Sequence, residues 1–477
     1  MVKFPDWTIF YIASEWAIRL IMLVVVTRRR RPAAAMSWLV VIFFEPWIGL
    51  VLYSFLGRYH LPRKRVRLYA AKCHELEGRL ARRTPHPEVA LPAMGPATQR
   101  SLALATTLGE MPILGGNDFE LIARPGEAID LLVADIDAAA NHVHLLFYIF
   151  ENDQAGGKVL AAMARAVGRG VTCRLLVDAV GSRTLLRHYA WDIRAMGIDL
   201  KAALPVGSLR RLAARIDLRN HRKLAVIDGR TAYTGSQNII EPTYGRKGME
   251  WRDVMLRLTG PVVWELQVVF CSDWYFETEE LLEAAALFPE PAIRGAVSVQ
   301  ALPSGPNYPT GNYQRIVVDA IHGAHRNVTI TTPYFVPDEP LLQACETALH
   351  RGVEIDLIIP RRGDHRLVHA VSSAYAGELL EMGARVHLFG DGLLHAKTMS
   401  VDDEIALIGS SNFDIRSFEL NFEINLLLYG PAVVGVLRRQ QELYQQSSRL
   451  LTLEALRRRS GAHRLVNNLA KLFSPLM

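Results

Sequence analysis

The sequence predicts an α/β protein of two duplicated halves that share one site, carried behind an N-terminal membrane anchor of two helices. Three observations predict it. A His-x-Lys-x-x-x-x-Asp pattern occurs twice, as HRKLAVID at 221–228 and HAKTMSVD at 395–402. Helix and strand patterns recur in one order before each copy, and two apolar runs open the chain.

The two copies agree beyond the pattern itself. His221 is followed by Thr234-Gly235-Ser236-Gln237-Asn238, and His395 by Ile408-Gly409-Ser410-Ser411-Asn412. In each, the Asn lies 17 residues after the His. Alternate residues of a strand share a face, so His221 projects with Lys223 and His395 with Lys397. Asp228-Gly229 after the apolar run 224–227 is a hairpin signal, with a return strand over Thr231–Thr234. Asp402-Asp403-Glu404 is a looser version of that turn. Asp228 and Asp402 therefore fall at turns, off the His/Lys face, and read as turn-fixing or lysine-orienting residues.

In chain order, Trp7–Val26 is a 20-residue apolar run, long enough to span a bilayer. Glu15 and Arg19 within it are spaced to pair on a helix and to face protein or an interface rather than lipid. Arg28–Arg31 follow the run, the reverse of a secretory signal. A second run, Met36–Leu56, is interrupted by Glu45-Pro46, and the proline predicts a kink. A two-helix anchor is the main reading; a kinked, partly re-entrant hairpin is the other. The basic stretches at 28–31 and 58–67 lie at opposite ends of this run, so the positive-inside rule pulls both ways. Residues 1–58 are thus expected as anchor, and 59–110 as a basic helix and linker.

The first half, 111–288, is predicted as helix near Leu131–Ile136, strand Val143–Phe150, helix Val159–Val167 and strand Cys173–Val177. The order returns in the second half, 311–449, as helix Ile316–Ile321, strand Val328–Thr332, helix Leu341–Leu349 and strand Ile355–Ile359. Tyr148 aligns with Tyr334, and Arg169-Gly170-Val171 with Arg351-Gly352-Val353. Residues 289–310 are expected as the linker between halves, and 450–477 as a basic amphipathic segment, on the membrane surface or packed on the core. A two-fold relation between halves would bring the two His/Lys pairs together.

Composition narrows the chemistry. Four widely scattered cysteines with no CxxC give no disulfide framework or zinc-ligand spacing. The net charge is only +6, and the arginine clusters lie outside the repeated region, beside apolar segments. That favours anionic lipid surfaces over nucleic acid. His142 and His144 lack further ligands nearby and read as structural.

Paired His, Lys, Asn and Ser without an acidic cluster suit a phosphodiester. One neutral imidazole attacks phosphorus and the other protonates the leaving oxygen, then deprotonates the incoming alcohol. Lysines 223 and 397 and the amides of Asn238 and Asn412 supply fixed positive potential for the phosphoryl oxygens, with Ser236 and Ser410 as phosphate-binding or supporting residues. Each ring needs a partner on its second nitrogen, and Asp253 and Glu423, in WRD and NFE after the two copies, are the candidates. Arginines 215, 219 and 222 beside His221, partly offset by Asp217, favour a neutral His221 as nucleophile; Asp391 before His395 favours a protonated ring there.

The stretches NHRKLAVIDGRTAYTGSQN, TTPYFVP, GLLHAKT, IGSSNFDIRSFELNFE and the terminal FSPLM resemble bacterial cardiolipin synthases of the phospholipase D superfamily. The resemblance covers nearly the whole chain, anchor included. It implies two phospholipase D-like α/β/α halves sharing one active site, with His221, Lys223 and Asp228 in one motif and His395, Lys397 and Asp402 in the other. It implies transfer of a phosphatidyl group between two phosphatidylglycerol molecules, giving cardiolipin and glycerol. The expected partners are phosphatidylglycerol, other anionic phospholipids and the bilayer, with no nucleic acid, no cofactor and no metal. The expected location is the bacterial inner membrane, multi-pass, with the catalytic part on the cytoplasmic face. A hydrolytic phospholipase D, a phosphatidylserine synthase, an endonuclease and an inactive membrane scaffold are the competing readings.

Overall fold

The computed structural model describes residues 6–28, 32–57, 94–205, 218–245, 249–308, 311–458, 460–461, 467 and 469–471. The basic stretch at 58–67, Cys73, the prolines at 85, 87 and 92, Arg215, Asp217 and the terminal FSPLM lie outside the described residues. Two compact units divide the chain: residues 1–66 with 206–218, and 67–205 with 219–477.

In the first unit α1, Asp6–Thr27, holds the one segment among the described residues that is long and apolar enough to cross a membrane. The second apolar run is not one helix. It forms α2, Pro32–Phe44, and α3, Pro46–Leu56, broken at Glu45. Pro46 has no N–H to continue the ladder, and it sits at the first position of the new helix, where none is needed. The break is sharp. The Trp38 and Tyr53 rings meet edge to face at 5.2 Å, although fifteen residues of straight helix would separate them by ~22 Å. A Cβ on Gly49 would lie 2.7 Å from the Ile42 Cα, so glycine is what lets the two arms touch. Ile18, Met22 and Val26 of α1 bury against this hairpin, one helical stripe at i, i+4, i+8. The kink expected at Pro46 is thus a fold-back into a helical hairpin.

The second unit is built on one sheet of sixteen strands. Its central pair is Leu114–Ile122 beside Val297–Ser304, antiparallel. Outward on one side follow Met255–Thr259, Thr231–Gly235, Lys223–Ile227, His142–Phe147, Thr172–Asp178 and Asp199–Ala203. On the other follow Asn421–Tyr429, Ile405–Gly409, Thr398–Val401, Asn327–Thr331, Glu354–Pro360, Arg385–Phe389 and Ser448–Leu451. Apart from that last strand, the order outward from the centre is the same in both halves, the pattern a duplication about a two-fold produces. The innermost parallel strands, His142–Phe147 and Glu354–Pro360, are buried along nearly their whole length because helices cover both faces. Two outer cores each serve one half, and a third joins Leu146 and Leu176 of the first half to Ile358, Ile424 and Leu426 of the second. Helix Val262–Thr278 is buried on all sides in that shared core, its polar Gln267 and Asp273 included.

The landmarks of the repeat have physical counterparts. Gly170 and Gly352 adopt φ of 88° and 84° after their helices, and Arg169 and Arg351 donate to helix-end carbonyls of Ile136 and Ile321 respectively. His142 and His144 share the amide of Gln267 within the core.

Two expectations need correction, and one alternative is resolved. Residues 289–310 are not a bare linker, since Val297–Ser304 is a central strand with seven partners in Asn421–Tyr429. Within 59–110, Pro96–Gly109 is a packed helix whose Leu102 and Ala105 join the second half's core. Of the two placements expected for 450–477, the described part takes the packed one: Ala470 buries with Val336 and Val371, and Lys471 pairs with Glu378.

Candidate active site

Each His enters the site from a strand end pinned by the other half. Arg219–Asn220 runs parallel to Asn421–Phe422, and the His221 N–H donates to the Phe422 carbonyl at 2.9 Å. Trp251–Arg252 runs parallel to Leu393–Leu394, and the His395 N–H donates to the Arg252 carbonyl at 2.9 Å. Each splice sets a carboxylate from one half beside the ring of the other. His221 Nδ1 lies 3.0 Å from both Glu423 oxygens, and His395 Nδ1 lies 2.6 Å from Asp253 Oδ1. A carboxylate on Nδ1 selects the Nδ1–H tautomer and leaves Nε2 free for chemistry.

The serines complete the crossing. Ser236 Oγ donates to Asp253 at 2.6 Å and Ser410 Oγ to Glu423 at 2.5 Å. Of the phosphate-binding or supporting roles expected for these serines, both hydroxyls take a supporting one, holding the carboxylates. Glu423 also accepts from Ser417 Oγ and Asn421 Nδ2. Asn238 accepts from the Ile149 N–H at 3.1 Å, and Asn412 keeps a buried Oδ1 with no hydrogen-bond partner.

Both lysines are wholly buried, and each donates to the carbonyl of its own motif's His, Lys223 at 2.7 Å and Lys397 at 2.5 Å. Burial pulls Lys223 down to about 7 and Lys397 to about 8. Burial also lowers His221 to about 4, with Lys223 and Lys397 adding to it against the pull of Glu423. His395 is lowered by burial and by the lysines, Asp253 opposing. Burial would raise Asp253, but His395, Lys397 and Ser236 outweigh it and hold the carboxyl at about 2. Glu423 is lowered in the same way by His221 and Lys223 against its burial. Each lysine acts on the histidine of the opposite half as well as its own, so the four side chains share one electrostatic site.

Asp228 and Asp402 stand at the other ends of their strands. Asp228 accepts from the N–H groups of Ala140, Asn141 and His142 at 2.8, 2.7 and 2.9 Å. Asp402 accepts from those of His325, Arg326 and Asn327 at 2.8, 2.8 and 2.9 Å. Both have positive φ, 54° and 50°. They tie each motif hairpin to the strand beside it, and neither orients a lysine.

The local reasons for a neutral His221 change as well. Arg222 turns into the core, paired with buried Asp273 at 2.6 Å, and Asp391 pairs with Arg252 rather than His395. Burial, not neighbouring arginine, keeps His221 neutral. Sequence reasoning gave no role at the rings to Tyr148 and Trp251, whose rings meet His221 and His395 at 4.8 Å each. Their position beside the repeated landmarks was the available signal.

This fold and this pairing of two His/Lys motifs define an enzyme of the phospholipase D superfamily. The family described as "Cardiolipin synthase, PLD-like domain" matches residues 132–274 and 317–443, and "Phospholipase_D-nuclease N-terminal" matches 17–58. Cardiolipin synthase A of Erwinia tasmaniensis is 34% identical over 460 residues, covering 93% of this chain and 92% of that protein. Its counterpart in Serratia proteamaculans is 34% identical over 461 residues, with the same coverage. The crystal structure of phosphatidylserine synthase from Haemophilus influenzae shares the fold, with TM-score 0.60, 17% identity, and coverage of 79% of this chain and 98% of that one. The chain belongs to the cardiolipin synthase family, and its relatives and long apolar α1 associate it with membranes.

Proposed function

We propose that this protein joins two phosphatidylglycerol molecules into cardiolipin, releasing glycerol, with His221 as nucleophile. The carrying observation is the crossed pair His221–Glu423 and His395–Asp253. His221 Nε2 attacks the phosphorus of the first lipid, and the P–O bond to its terminal glycerol breaks. His395 gives its Nε2 proton to that oxygen, so glycerol leaves and a phosphatidyl-His221 remains. Now neutral, His395 takes the proton of the second lipid's glycerol hydroxyl. That oxygen attacks phosphorus, and His221 departs unchanged.

The charges suit these roles. His221, held near 4, is neutral in the resting site. Burial and the lysines lower His395, and Asp253, 2.6 Å from its Nδ1, opposes them. The arriving phosphodiester offsets the lysines and so helps that ring protonate. Lys223 and Lys397 face the equatorial oxygens. One phosphodiester is exchanged for another, so no energy source is needed beyond excluding water.

We place the catalytic part on the cytoplasmic face of the bacterial cell membrane, because the basic run at 58–67 follows the anchor directly. Purified full-length protein in phosphatidylglycerol micelles should release cardiolipin and glycerol in equal amounts. Phosphatidic acid as the main product would make it a hydrolase instead, and a product formed only with serine a phosphatidylserine synthase. After rapid quenching with labelled lipid, the label should map to the peptide containing His221; label confined to the His395 peptide would exchange the two roles.

A further inference from the structure

We propose that α2 and α3 form a re-entrant hairpin that enters and leaves the membrane on one side, so the chain crosses the bilayer once. This rests on the membrane reading above and replaces the two-span form of the anchor.

The first argument is length. The hydrocarbon core is ~30 Å thick. The 22 residues of α1 reach ~33 Å, whereas the 13 of α2 and the 11 of α3 reach ~20 and ~16 Å. Straightened end to end the two would span, but the Trp38–Tyr53 contact and the Gly49–Ile42 approach show them folded back on each other.

The second argument is depth. Arg19 Nε of α1 donates to the carbonyl of Phe43, next to the tip of the hairpin, at 3.1 Å. Arg19 lies eight residues before Thr27, ~12 Å along the helix axis, and an arginine side chain adds at most about 6 Å. The tip therefore stops inside the membrane, short of the far face. Backbone at such a depth needs internal partners. Arg19 supplies one to Phe43, Glu45 N–H donates to the Val41 carbonyl at 2.9 Å, and Gly49 N–H donates to the Glu45 carbonyl at 2.7 Å. The Glu15–Arg19 pair, at 3.2 Å, thus faces the polar break rather than lipid.

The third argument is charge. With two spans, Arg28–Arg31 and the basic residues at 58–67 would emerge on opposite faces. With a hairpin both emerge on one face. The positive-inside rule then has one answer: both clusters inside, the N-terminus outside.

The test uses full-length protein carrying one epitope tag at each end, expressed in bacteria converted to spheroplasts. External protease should remove the N-terminal tag at once and the C-terminal tag only after permeabilisation. The reverse pattern would still support a single crossing and would overturn the cytoplasmic placement. Both tags cut together, or both protected, in a chain that resists carbonate extraction would overturn the hairpin. Release of the chain by carbonate would instead overturn the membrane reading on which it rests.

Discussion

Both carboxylate oxygens of Glu423 lie 3.0 Å from Nδ1 of His221, a residue 202 positions earlier and in the opposite half of the molecule. Asp253 and His395 repeat the relation in the other direction. For each of these two motif rings, the carboxylate on Nδ1 comes from the opposite half.

His221→Ala and His395→Ala should each abolish cardiolipin formation, because attack and proton transfer fall to different rings. Glu423→Gln should cut formation of the phospho-enzyme at least ~10²-fold, since it removes the partner that fixes the His221 tautomer. Asp253→Asn should slow glycerol release by a similar factor. Single-turnover assays with labelled lipid check both; an unchanged rate in either carboxamide variant would remove that carboxylate from the mechanism.

The pH profile of kcat/KM should be unusually broad on the acid side. His221 attacks only as the neutral ring, and burial holds it near 4 rather than the ordinary 6.5. It stays neutral as pH falls through 6.5 and is lost only as pH falls through about 4. On the alkaline side, Lys223 and Lys397 lose their charge as pH rises through about 7 and 8, so KM should climb there. An acid limb centred near 6.5 would show that His221 is solvated in the working enzyme.

Asp228→Asn and Asp402→Asn should lower stability rather than chemistry. Each carboxylate accepts three backbone N–H groups. Losing that set costs about 2–3 kcal/mol, and Asn tolerates the positive φ better than Ala would. Thermal melts should shift down by a few degrees, with kcat per folded molecule within about twofold. A hundredfold fall in kcat with an unchanged melt would return these residues to the reaction.

Ser236→Ala and Ser410→Ala should lower kcat about tenfold and leave KM for phosphatidylglycerol unchanged, because each hydroxyl holds a carboxylate. A KM effect without a kcat effect would put the hydroxyls on the lipid phosphate.

Much of the site was legible because strand periodicity is local. His-x-Lys on a strand must share a face, and Asp-Gly after an apolar run must turn, so both motifs and both hairpins follow from spacing alone. Asp253 and Glu423 could be named as the ring partners, since each follows its own motif closely. Which ring each serves could not, because the answer depends on strand pairs between residues some 140 to 200 positions apart. The serines' role was open for the same reason: a hydroxyl can serve phosphate or carboxylate, and only its neighbours decide.

The anchor divides in the same way. The apolar runs, the Glu15–Arg19 spacing and the helix break at Pro46 are properties of the sequence itself, fixed by hydropathy, helical pitch and the missing N–H of proline. A broken helix can bend slightly or fold back, and local rules allow both. Folding back is decided by Gly49 admitting the Ile42 backbone and Arg19 capping the Phe43 carbonyl, contacts that exist only once the helices have packed. In the catalytic part, likewise, the sequence by itself singled out the residues proposed to carry the chemistry. The tertiary structure decided how they pair, because a carboxylate chooses between histidines by distance, and distance across two halves is set by the sheet that joins them.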